Sequence, residues 1–153
     1  SFRIVSSLRH SRNPLAKLLF YLSRIPHTFF CILFSIEIPP WVDAGPGLLF
    51  PHSGGIVFHP HTKLGSFCTI YQCATLGANR RGRAPHLGDY VTVWGGTVVV
   101  GDCYLGDYTE VGANSTCVGP LRVENAVLVG SPARVIRQNA CSKPNTPTPT
   151  FSN

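Results

Sequence analysis

Residues 87–111 read Leu87-Gly88-Asp89-Tyr90-Val91-Thr92-Val93-Trp94-Gly95-Gly96-Thr97-Val98-Val99-Val100-Gly101-Asp102-Cys103-Tyr104-Leu105-Gly106-Asp107-Tyr108-Thr109-Glu110-Val111. An aliphatic side chain returns every six residues: Leu87, Val93, Val99, Leu105, Val111. Glycine follows directly at Gly88, Gly106 and Gly112. Six matches neither the 3.6-residue period of a helix nor the two-residue period of a flat strand. It fits a chain wound as a triangular coil, with three short strands per turn and one inward residue per strand. The register extends forward through Cys117, Val123, Val129 and Val135, and a shorter stretch of the same beat, Leu64, Ile70 and Leu76, precedes it. The predicted fold class is an all-β solenoid of hexapeptide repeats, a parallel β-helix, with a short helical segment before it.

Working outward, Ile38, Ala44 and Phe50 carry the same beat, and an eight-residue step leads to Phe58. Two extra residues therefore bulge near Pro51-His52-Ser53-Gly54-Gly55. The step from Leu76 to Leu87 is eleven residues, which leaves a projecting loop, Asn79-Arg80-Arg81-Gly82-Arg83. Regular coils build a scaffold, so interruptions are where function is expected. Three segments result: a helical stretch over residues 1–36, the β-helix over 37–137, and a tail over 138–153 whose prolines predict disorder.

In the first segment, Asn13-Pro14 is a helix start. Leu15, Leu18, Leu19, Leu22 and Ile25 form a stripe that Pro26 is expected to end. Lys17, Arg24, Pro26 and His27 argue against a membrane span, and no small-residue cleavage site follows the apolar run. Two placements stay open. The segment caps the solenoid's end and covers its unpaired strand edge, or it lies on an anionic membrane surface through its basic residues.

The 153 residues suffice for one domain, and the net charge of +6 suits a ligand bearing phosphates or carboxylates. No basic helix with interleaved aromatics points to nucleic acid. Six cysteines occur without CxxC or other metal-ligand spacing. They read as reduced thiols in a cytoplasmic, optionally membrane-associated protein. His59 and His61 do not make a metal site with the spacing seen, so none is expected.

His52, in the first interruption, is a candidate general base. Glu37 lies fifteen residues earlier, close to one coil of about eighteen. It could stack near His52 and hold the imidazole's second nitrogen. A solvated loop histidine and an unrelated glutamate satisfy the same spacing.

Three stretches carry a resemblance: Ile36-Glu37-Ile38-Pro39-Pro40 with Ala44-Gly45-Pro46-Gly47-Leu48, then His52-Ser53-Gly54-Gly55-Ile56-Val57, then Thr69-Ile70-Tyr71-Gln72 with Thr75-Leu76-Gly77. Val129-Gly130-Ser131-Pro132-Ala133-Arg134-Val135-Ile136 adds a fourth. Over about residues 36–137 the chain resembles the serine acetyltransferase family of hexapeptide-repeat acyltransferases, most nearly its capsule and exopolysaccharide branch. The resemblance implies a left-handed coil, a homotrimer with active sites between subunits, and acetyl transfer from acetyl-CoA to a hydroxyl. It makes His52 the base and Glu37 its orienting carboxylate. Gly77, Ala78, Gly95 and Ala113 become the small residues along the coenzyme's trough. Arg134 and Arg137 become partners of its phosphates. Arg83 and His86 are the acceptor-side candidates.

Three departures matter. Ala84 stands where the family has a second active-site histidine, Pro51 stands where an aspartate meets the serine amine, and the large helical domain is absent from this sequence. On that basis a sugar hydroxyl of a polysaccharide or its precursor is the expected acceptor, with serine as the alternative. A noncatalytic trimeric scaffold is the reading from a different class.

Overall fold

A computed structural model describes residues 2–8 and 13–138. The expected tail, apart from Gln138, lies outside them. Two helices, α1 (Phe2–Leu8) and α2 (Pro14–Phe34), precede fifteen short strands. The strands form three five-stranded sheets, one per face of a prism of about five turns.

The first sheet holds β1 (Ile36–Glu37), β3 (Ile56–Phe58), β6 (Thr75–Gly77), β9 (Val98–Val100) and β12 (Thr116–Val118). The second holds β2 (Asp43–Ala44), β4 (Lys63–Leu64), β7 (His86–Leu87), β10 (Cys103–Leu105) and β13 (Leu121–Val123). The third holds β5 (Thr69–Ile70), β8 (Thr92–Val93), β11 (Glu110–Val111), β14 (Ala126–Val129) and β15 (Arg134–Gln138). All pairings are parallel except β14 with β15. The parallel β-helix expected from the six-residue beat, with the left-handed winding that the resemblance implies, is the fold.

The beat becomes three internal ladders. Phe58, Leu76, Val99 and Cys117 stack in the first sheet. Leu64, Leu87, Leu105 and Val123 stack in the second. Ile70, Val93, Val111 and Leu128 stack in the third. Leu87, Val93, Val99, Leu105 and Val111 are fully buried, each worth about 1.5–3 kcal/mol relative to exposure. Where strands turn, coils stack closely. A Cβ on Gly45 would sit 2.6 Å from the Gly65 carbonyl carbon one coil on, so glycine is required there.

The beat fails at its end. Leu128, not Val129, pairs with Val111 and is buried, while Val135 is 46% exposed. The last coil is one residue short, and the chain then reverses as β15 against β14. A reversing strand does not continue the coil, so it loses the inward phase.

The extra residues fall where expected. Ile36 pairs with Ile56, twenty residues on, so the coil holding His52 carries the predicted insertion. Leu64 pairs with Leu87, twenty-three on, so the coil holding Asn79–Arg83 is longer still.

Pro26 does not end its helix, contrary to expectation. α2 runs through it to a cap at Ser35, whose N–H donates to the Cys31 and Ile32 carbonyls. An interior proline costs about 3 kcal/mol. Two tertiary anchors just beyond it offset that cost: buried His27, whose Nε2 lies 3.0 Å from the Ile38 carbonyl, and Cys31, packed on the core. The span exclusion also needs correcting. α2 has only two charges in 21 residues and is long and apolar enough to cross a membrane.

Part of the segment covers the open end of the coil. Arg3 donates to the Ala44 and Gly45 carbonyls, and Phe2 and Cys31 pack against the core. Burial pushes the Cys68 and Cys103 thiols up to about 11 and Cys117 to about 12. These three are free thiols in the core, as the sequence predicted.

Candidate active site

The third and first sheets meet at a corner where successive turns stack. Leu49 bridges to Thr69, which sets the turn holding His52 beneath the turn Tyr71–Ala74. Register then places Trp94-Gly95-Gly96 and Gly112-Ala113-Asn114 on the next two rungs. An open cleft of about 490 Å³ runs along this corner. His52, Tyr71, Gln72, Trp94, Gly95 and Ala113 line it, with Cys73, Gly96 and Asn114.

His52 is exposed and its ring lies 5.9 Å from that of Tyr71. Tyr71 in turn stacks on Trp94, with centroids 4.6 Å apart and planes 18° off parallel. The next rung is Gly112, which adds no side chain of its own beside the indole. Gly95 and Ala113 leave the floor low. The result is an imidazole at one end of a shallow trough, an aromatic wall beside it and backbone within reach along its length. That suits a proton acceptor beside a long, thin ligand.

Other candidates lie elsewhere in the protomer. Glu37 is exposed on β1 and pairs in register with Val57, not with His52. Among the described residues no hydrogen bond or ion pair joins it to His52. Gly77 and Ala78 stand at the next corner, between the first and second sheets, where the Asn79–Arg83 loop leaves. The Asn79 carboxamide oxygen accepts from the N–H groups of Arg81 and Arg83, which shapes that loop. The Arg83 guanidinium donates to Asp102 at 2.8 Å. His86 is exposed on β7, edge-on to Tyr104 at 5.4 Å. Arg134 and Arg137 are exposed on β15 at the far end of the third sheet. One protomer therefore gathers His52, Gly95 and Ala113, and leaves Glu37, Gly77, Ala78, Arg83, His86, Arg134 and Arg137 outside that cleft.

The His59 and His61 rings lie 5.2 Å apart, and His59 Nδ1 accepts from the His61 N–H. No cluster of three metal-ligating side chains occurs among the described residues.

Sequence reasoning missed the Tyr71–Trp94 wall and Cys73, the exposed thiol in the cleft. The signal was available as a spacing of twenty-three residues between the two aromatics. It became legible only once the long coil was assigned its extra residues.

No protein-family model matches the chain. The serine acetyltransferase of Haemophilus influenzae is 31% identical over 116 residues, which are 74% of this chain and 43% of that protein. The soybean serine acetyltransferase complexed with serine is 31% identical with a TM-score of 0.71, covering 88% of this chain and 54% of that one. A serine acetyltransferase in complex with CoA is 27% identical with a TM-score of 0.72, covering 88% and 53%. The chain spans about half the length of the curated relatives it matches.

These likenesses correct the expected acceptor. The sugar hydroxyl was inferred from Pro51, yet the matching relatives across the coil are serine acetyltransferases. One side-chain position does not decide an acceptor when the cleft is open on one side, since a carboxylate can come from elsewhere. On sequence and fold together, the β-helix of this chain belongs to the serine acetyltransferase-like hexapeptide-repeat family.

Proposed function

We infer that the protein transfers acetyl from acetyl-CoA to the hydroxyl of serine. The observation that carries this reading is His52 at the end of a trough floored by Gly95 and Ala113. The relatives named serine acetyltransferase, and the CoA- and serine-bound structures among them, support the two substrates.

His52 takes the proton of the serine hydroxyl as that oxygen attacks the thioester carbonyl. The tetrahedral intermediate collapses, the C–S bond breaks, and the coenzyme leaves as a thiolate that recovers the proton from the imidazolium. The products are O-acetylserine and free CoA, with no acyl-enzyme. Glu37 is assigned to orient the imidazole, a role that requires its side chain to reach across from β1. Arg134 and Arg137 are the cations assigned to the coenzyme's phosphates, with Gly77 and Ala78 along its path.

The working unit is a homotrimer. The outer face of the first sheet carries exposed Val57 and Val118, and the cleft beside that sheet lacks a second wall within the protomer. The Asn79–Arg83 loop of a neighbouring copy supplies it, and brings Arg83 and His86 toward the acceptor. Arg83 then gives up Asp102, an exposed pair worth little on its own.

The test is thiol release from acetyl-CoA with serine as acceptor. His52→Ala is expected to lower kcat by about 10²–10⁴-fold. The trimer should stay folded, because the exposed ring supports no core contact. Wild-type turnover by the variant removes His52 from its role. Absence of serine-dependent thiol release by a folded wild-type trimer removes the function.

A further inference from the structure

One surface of the molecule takes no part in this chemistry. Tyr21, Leu22, Ile25, Phe29, Ile32 and Leu33 of α2 are between 54% and 73% exposed. At about 100° per residue these six fall within about 120° of the helix circumference. The centre of that stripe is directly opposite His27, the side chain that docks α2 on the solenoid. The protomer's own β-helix therefore cannot cover it.

Charge indicates what does. Residues 1–36 contain Arg3, Arg9, Arg12, Lys17 and Arg24 and no aspartate or glutamate. Lys17 and Arg24 fall on the helix between the docked side and the stripe. From there their stems can follow apolar surface while the cations reach a phosphate layer. The Arg24 guanidinium lies 5.6 Å from the ring of Trp41, which is 52% exposed. A half-exposed indole beside a cation suits the headgroup level of a bilayer.

A second copy of the chain is a poorer occupant. Two helices share a narrow seam, whereas exposed Leu19 and Phe30 widen this apolar surface to about 180° of the helix circumference. Crossing the bilayer is also disfavoured despite the helix's length. His27 bonded to the Ile38 carbonyl and Arg24 against Trp41 hold one flank to the solenoid.

We propose that α2 lies flat on an anionic lipid surface, apolar stripe down, and holds the β-helix at the membrane. The inference is independent of the acetyl-transfer reading.

The test is flotation of the full 153-residue chain with phosphatidylglycerol-containing vesicles and with pure phosphatidylcholine vesicles. Binding to anionic vesicles is expected, at least fivefold weaker on neutral ones and weakened by high salt. Ile25→Glu with Phe29→Glu should lower binding at least tenfold. Both side chains are exposed, so the unfolding midpoint should hold. An alkaline carbonate wash should release the wild type. Failure to float with anionic vesicles overturns the proposal, as does equal binding by the double variant. Resistance to carbonate overturns the flat orientation. A self-assembly that the double variant dissolves, without vesicle binding, assigns the stripe to a second copy instead.

Discussion

Gly95 offers the sharpest test of the trough. A Cβ built on it would lie 2.9 Å from Gln72 Nε2 and 3.2 Å from Gln72 Cδ. Both are at the far end of a flexible, exposed side chain, so the amide can swing aside. Gly95 does not share the positive φ of Gly96 (70°), so a side chain brings no backbone strain. Gly95→Ala should therefore change stability by no more than about 0.5 kcal/mol. Gly95→Trp is different. An indole exposes about 150–250 Å² of surface, and here it must share an open cleft of about 490 Å³ with the coenzyme. The space it takes is the floor over which the pantetheine arm should pass. Affinity for CoA should fall at least about tenfold, or about 1.4 kcal/mol. Calorimetric titration with CoA measures it, and KM for acetyl-CoA should follow. The alanine variant should stay within threefold of wild type in both. A folded Gly95→Trp protein that binds CoA with wild-type affinity would refute this placement.

Two further outcomes follow from the thiols. Cys73 is exposed in the cleft, whereas Cys68, Cys103 and Cys117 are buried, so a bulky maleimide should label Cys73 far faster than those three, as read by peptide mass. CoA should slow that labelling at least fivefold, and the labelled protein should lose turnover while Cys73→Ser keeps it; full activity after labelling would place the reaction elsewhere. The buried thiols set an alkaline limit. Their folded pKa values, about 11 to 12, stand above the ordinary value of 9.0. Between those values the unfolded chain binds fewer protons than the folded one, so stability is intact below about pH 9 and falls as pH rises through 11. Each thiol contributes a loss of about 1.4 kcal/mol per pH unit in that window. Denaturant midpoints across the range measure it, and Cys117→Ala should flatten the slope; an equal slope in that variant would mean the thiol is not the cause.

How far the sequence could be read depended on whether a coil's geometry alone decided the question. Leu87 to Val111 had one all-aliphatic phase, in which each residue sits over the one a coil below; Val91, Thr97, Cys103 and Thr109, two residues before its members, are buried as well. At Leu128 and Val129 two neighbouring aliphatics compete, and only the return of β15 shows which turns inward. Pro26 misled for a related reason: propensity is local, and the anchor that overrides it, the Ile38 carbonyl beneath His27, lies eleven residues beyond that histidine. The site divides along the same line. His52, Gly95 and Ala113 share a corner because coil spacing puts them there, and spacing is visible in a sequence. Arg83 and His86 project from a different corner and face, so bringing them to His52 requires the proposed assembly of copies. A repeat encodes its own stacking but does not encode its partner's position. On the proposed assembly, the half of the cleft that meets the acceptor is the half that the spacing left unread, which is why one proline at position 51 was given more weight than it could bear.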